Sequence, residues 1–115
     1  MIVIMWEYMS HIQIETTFEK REDAEKLVDI LLDNNLIACA HFCDITAVYV
    51  WEGKRYKDPQ VLLKVNTQEI LYHDCEKLIK KNHPDKVPHI LVTQANGSKE
   101  YLSWIDGSVK QKSKN

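Results

Sequence analysis

Glycine is scarce in this 115-residue chain: Gly53, Gly97 and Gly107 stand alone, far apart. No glycine-rich loop can cradle a phosphate, which removes the usual mononucleotide and dinucleotide fingerprints. Cysteine is equally thin, with Cys39, Cys43 and Cys75 odd in number and forming no CxxC pair. No secretory pattern precedes them, so a disulfide framework is not expected, and reduced thiols in a cytoplasmic protein are. Long hydrophobic runs are missing too. The opening MIVIMWEYM is too short to span a bilayer and has no basic start or small-residue cleavage site, so direct membrane insertion is not expected. Positive charge is not in excess: the formal net charge is -2, which argues against nucleic acid as a partner. There is no nucleophile elbow, no HExxH and no acid–base dyad. Cys39 or Cys43 with His41 is the one nucleophile–base pairing in sight, and neighbours on one strand seldom assemble a catalytic site. An enzyme is not expected.

What is present is an ordinary globular composition, 44% hydrophobic and 28% charged, at a length that suits one domain. Residues 1–10 read as an N-terminal extension, with Met9 able to serve as a start. Residues 11–108 read as a single domain, and residues 109–115 as a frayed basic tail. The chain is organised around residues 36–56. There Ile45, Ala47, Tyr49 and Trp51 alternate with Thr46, Val48 and Val50, the period of a strand. Glu52-Gly53-Lys54 offers a turn before a second apolar run at 61–65. Strands this long overhang any compact sheet, and the aromatic tip points to cover by another chain.

Around this hairpin, residues 11–17 alternate as a half-buried strand. Residues 19–34 form a helix with the stripe Ala24, Leu27, Val28, Leu31 and Leu32, stopped by Asn34-Asn35. Thr67 is suited to cap a helix over 68–82, whose buried side is Leu71, Cys75, Leu78 and Ile79 and which His83-Pro84 ends. A strand follows at 87–95. Ser98 then caps a short last helix that Gly107 closes. The order is β-α-β-β-α-β plus a short helix: an α+β, ferredoxin-like antiparallel sandwich with two helices on one face. The other face requires a cover, for which a further copy of the chain is the natural source.

Several residues recur in order: Thr16-Thr17, Leu36-Ile37-Ala38-Cys39-Ala40, Tyr49-x-Trp51-x-Gly53, Val61-Leu62-Leu63, Thr67, His83-Pro84, Pro88 and Tyr101-Leu102-x-Trp104. In this set the chain resembles the CutA family of divalent-cation tolerance proteins, from His11 to Ser108. The resemblance implies a tight, very stable homotrimer in which long strands pair between subunits, with Tyr49, Trp51, Tyr56 and Trp104 at the interface. It implies tolerance of copper or another divalent cation through weak or transient binding, and no enzymatic activity. The fold is also similar to that of PII signalling proteins, which implies as an alternative a small effector in the inter-subunit cleft, or an unidentified protein partner. The chain departs from the family at polar positions. Gln60 stands for a usual glutamate, Asn66 for a lysine, Asp85 for a tyrosine, His89 for an acid and His41 for an asparagine. With Trp51, residues Gln60, Asn66, Asp85 and His89 are the candidate cleft residues.

For a metal, Cys39, His41 and Cys43 lie at i, i+2 and i+4, one face of a strand and a donor set for a soft cation. The competing reading is cysteine as a small buried hydrophobe. Copper ligands implied by the resemblance map to Glu15 and His83. The latter also reads simply as the residue that stops its helix.

Overall fold

The computed structural model describes residues 11–112, so the extension at 1–10 and the last three residues of the tail lie outside the described part. The strands are β1 (His11–Phe18), β2 (Cys39–Trp51), β3 (Lys54–Gln68) and β4 (Leu91–Ala95); the helices are α1 (Arg21–Asp33), α2 (Tyr72–Asn82) and α3 (Lys99–Ser108). One antiparallel sheet runs in the order β2-β3-β1-β4, the ferredoxin-like arrangement expected from the element order. Ile12, Ile14 and Phe18 of β1, with Val61, Leu63 and Val65 of β3, form the floor of the core. Ala24, Leu27, Val28 and Leu31 of α1 and Cys75 and Ile79 of α2 form its roof.

Local chemistry explains the boundaries. Glu22 and Asp23 sit in the first turn of α1, where the helix dipole favours acids. The helix stops at Asn35, in the left-handed region with φ 55°. The Leu36 N–H reaches the Leu31 carbonyl at 3.0 Å, and the Asn35 N–H the Leu32 carbonyl at 2.9 Å, the paired bonds of a Schellman stop. Between β2 and β3, Glu52 and Gly53 both hold positive φ, 49° and 78°, which a two-residue hairpin turn twisted to match its strands requires.

Five expectations change. Leu32 is 43% exposed, because it lies one position past the stripe that α1 turns inward. Thr67 caps no helix. It is a buried residue of β3 whose hydroxyl donates to the Leu36 carbonyl at 2.6 Å, and the chain passes through a single 3-10 turn, Glu69–Leu71, before α2 starts. The last strand is shorter than expected and Gly107 falls inside α3 instead of ending it. The tail is not frayed as far as it is described. Val109 is buried, the Lys110 N–H donates to the Asn35 carbonyl at 2.8 Å, and Lys110 and Lys112 both reach Asp74 of α2. Those two lysines, the Lys112 hydrogen bond first, hold the Asp74 carboxyl below the usual carboxylate range.

β1 pairs with β3 only from Val61 to Gln68. Beyond that, Lys54–Gln60 pairs with β2 alone, a two-stranded ribbon about 23 Å long at ~3.3 Å per residue. The radius of gyration, 15.4 Å against about 13 Å for a compact chain of this size, records the projection. The face assignment of α1 is testable by denaturant unfolding: Leu31→Ala should cost about 2–5 kcal/mol and Leu32→Ala less than about 1 kcal/mol. Equal costs would overturn it.

Candidate functional site

Strand register decides which side chains share the helix-free face. Alternation places Cys39, His41, Cys43, Ile45, Ala47, Tyr49 and Trp51 of β2 there, opposite Asn66, Lys64, Leu62, Gln60, Asp58, Tyr56 and Lys54 of β3. Lys64 is in turn opposite Glu15 of β1. This face is not bare, as two helices on one side of a sheet would leave it. α3 lies across the end remote from the ribbon tip: Tyr101 reaches Cys39 and Asn66, and Asp106 accepts from His11 at 2.7 Å and Gln68 at 2.8 Å.

The three-donor set read from the spacing does not converge. Cys39, His41 and Cys43 do share the face, but four residue steps along the strand set the two cysteines about 13 Å apart, whereas ligands of one ion lie ~2.3 Å from it. Among the described residues no group of three His, Cys, Asp or Glu is placed to hold a metal ion. Cys39 is engaged instead with Tyr101 Oη at 3.1 Å and Asn66 Nδ2 at 3.2 Å. Cys43 and His41 are exposed.

His83 is a structural histidine. The Asp85 N–H donates to Nδ1 at 3.1 Å, so the proton sits on Nε2, which donates to the Thr17 carbonyl at 2.8 Å. Its ring stacks on Phe18 at 4.2 Å. With both nitrogens occupied it has no lone pair for a cation, and it pins the end of α2 to the end of β1. Asn82, not His83, bonds the helix-end carbonyl of Leu78.

Glu15 does meet a histidine. Its Oε2 is 3.0 Å from Nε2 of His89, in the segment leading into β4, and both side chains are about a third exposed. Of the candidate cleft residues, Gln60 and Asn66 lie on the open face, Trp51 at the ribbon tip, and Asp85 in the α2–β4 loop, so the single chain does not gather them into one pocket. The aromatic candidates fall into two patches. Tyr49 stacks on Tyr56 at 5.4 Å near Trp51, while Trp104 stacks on Tyr101 at 5.6 Å at the opposite end of the sheet. Tyr49 donates to Asp58 at 2.6 Å, and that carboxylate pushes its phenol up to about 12. The sequence reading missed Tyr101 as a partner of Cys39. The i, i+3 spacing of Tyr101 and Trp104 marked one helix face, but nothing local told where that face docks.

The family model described as CutA1 divalent ion tolerance protein matches residues 12–108. Divalent-cation tolerance protein CutA of Pyrococcus horikoshii is 38% identical over 99 residues, 85% of this chain and 97% of that protein. Protein CutA, chloroplastic, of Arabidopsis thaliana is 31% identical over 86% of this chain, which spans 56% of it. The solved periplasmic divalent cation tolerance protein CutA of Archaeoglobus fulgidus superposes with a TM-score of 0.84 at 30% identity, covering 87% of this chain and 99% of that one. The expected cytoplasmic location is thereby overturned. Relatives carry chloroplastic and periplasmic names, and three unpaired cysteines do not specify a compartment. Among the described residues no helix is long and apolar enough to cross a membrane.

Replacing His83 by alanine strands the buried Thr17 carbonyl and should cost about 1–3 kcal/mol of stability. Copper affinity, measured by competition titration on the same variant, should be unchanged. A selective loss of affinity would restore His83 as a ligand.

Proposed function

Because the chain belongs to the CutA1 divalent ion tolerance family across residues 12–108, we propose that it is a divalent-cation tolerance protein that works as a homotrimer and holds its cation weakly, copper being the first candidate. One observation carries the weak-binding reading: the Glu15 carboxylate and the His89 imidazole lie 3.0 Å apart, part-exposed, with no third His, Cys, Asp or Glu grouped beside them among the described residues. Two donors fall short of the four that close a structural site, so a bound ion would keep water ligands and exchange readily. Each proton on the pair also competes with the metal, which ties affinity to pH. The family is named for ion tolerance and not for a reaction, in keeping with a binding role.

The trimer reading rests on the ribbon. Val48 and Val50 are 62% and 69% exposed on one side of it, while Tyr49 and Trp51 project from the other. A two-stranded ribbon with free edges, whose β2 half exposes Val48, Tyr49, Val50 and Trp51 although its β3 half is largely charged, is an aggregation hazard unless another chain covers it. The second aromatic patch, Tyr101 and Trp104, lies at the far end of the same face. Two different patches at opposite ends suit a head-to-tail ring better than a two-fold pair. The PII-like alternative, a small effector held between subunits, draws support from the half-buried Gln60 and buried Asn66 facing that region.

Calorimetric titration of Cu(II) and Zn(II) into chelator-stripped protein of known mass tests the metal reading. Binding at a whole number of sites per trimer should weaken about tenfold, roughly 1.4 kcal/mol, in Glu15→Gln and in His89→Ala. Full affinity in both variants, or no binding at all, would favour the effector. Trp51→Ala should lower the mass in solution towards the monomer. Unchanged mass and melting temperature in that variant would refute the interface.

A further inference from the structure

The helical layer stops short of β4. Ile12 and Ile14 of β1 are buried in the core, and their register partners on β4 are Gln94 and Val92, which therefore point to the helical side of the sheet. Yet among the described residues no side chain of β4 joins the core cluster, and Val92 is 40% exposed. Over that strip lies a groove of about 410 Å³, between β4 and the passage from β3 into α2. Ile12, Val92 and Tyr72 line it together with the polar Glu69, His73 and Gln94. The Tyr72 hydroxyl donates to Glu76 at 3.1 Å, which leaves its ring as the surface it offers. A few polar groups among apolar walls is the make-up of a binding groove.

The chain carries its own occupant for that groove. Residues 1–10, MIVIMWEYMS, lie outside the described part and run directly into His11. Segments that stay in water are rich in charge and poor in apolar residues; this one has a single charged side chain, Glu7, among Ile2, Val3, Ile4, Met5 and Trp6. With no Lys or Arg, it has nothing to draw it to an anionic membrane surface. His11 starts β1 between Gln68 of β3 and Ala95 of β4, so the segment leaves the sheet one residue pair from Ile12 and Gln94. Ten residues reach up to about 33 Å, whereas the five of β4 cover about 17 Å, so the segment is long enough to turn back along that strand. We propose that residues 1–10 turn back at the start of β1 and close this groove, setting their apolar side chains against Val92 and the ring of Tyr72. A tethered segment acts at about millimolar effective concentration, which favours it over a second copy of the chain. The extension then supplies the roof over β4 that α1 and α2 do not, and the helical side of that strand is closed within one subunit.

Hydroxyl-radical oxidation of the full chain, read residue by residue by mass spectrometry, tests this against a chain lacking residues 1–9. Without them, oxidation of Tyr72 and Val92 should rise about threefold, since a groove closed by a tethered segment is occupied nearly all the time. Leu32, exposed on α1, should not change and serves as the reference. In the full chain, Trp6→Ser should also raise oxidation of Tyr72, and Val92→Arg should open Trp6 to oxidation. A cooperative melting curve and an unchanged mass in solution show that each variant is folded. Equal oxidation of Tyr72 and Val92 with and without residues 1–9 would overturn the proposal: open in both chains, the groove belongs to a foreign partner, and shielded in both, it is covered by a second subunit. A Trp6 oxidised as fast in the folded full chain as in urea would overturn it as well.

Discussion

β3 is longer than the strand on its inner side, and much of the molecule follows from that mismatch. Where β1 is present, β3 has a partner on each edge and a helical layer above it, and its side chains are buried on the core face. Where β1 ends at Phe18, opposite Val61, the same strand continues with β2 as its one partner. A two-stranded ribbon is marginal by itself in water. Its persistence as ordered strand calls for side-chain pairs within it, of which Tyr49–Tyr56 and Tyr49–Asp58 are two, and for cover from outside.

Legibility in the sequence depended on how local the cause was. Alternation from Ile12 to Ile14, the stripe on α1 as far as Leu31, the left-handed stop at Asn35 and the Ser98 cap are decided within a few residues and stand, while Leu32 at the end of that stripe does not. Thr67 shows the limit. A threonine before a helical stretch suits a cap, but β branching suits a strand equally, and the Leu36 carbonyl thirty-one positions away tips the balance. The site divides in the same way. That Cys39, His41 and Cys43 share a face follows from a period of two, whereas their failure to converge follows from strand rise. The docking of Tyr101 onto Cys39, sixty-two positions away, is written in no local pattern.

Histidine is used in three distinct ways on one small scaffold. His83 has both nitrogens committed to backbone and is a pin. His11, nearly buried, gives its Nε2 to Asp106 and clips a helix to the sheet. His89, itself part-exposed, meets the part-exposed carboxylate of Glu15 at 3.0 Å. Counting imidazoles therefore overstates the capacity to bind a cation, and the difference lies in what the second ring nitrogen is doing.

The clip between His11 and Asp106 joins positions ninety-five apart, the beginning of the first strand and the last turn of the last helix. Chain closure of that span has to precede any gain from the contact, so it belongs to the end of folding and not to its nucleus. The consequence runs in reverse as well. α3 cannot peel away without breaking this contact and the one from Gln68, which leaves the buried His11 ring without its carboxylate although β3 and β4 still hold β1 on both edges, so fraying at one end of the described chain is felt at the other.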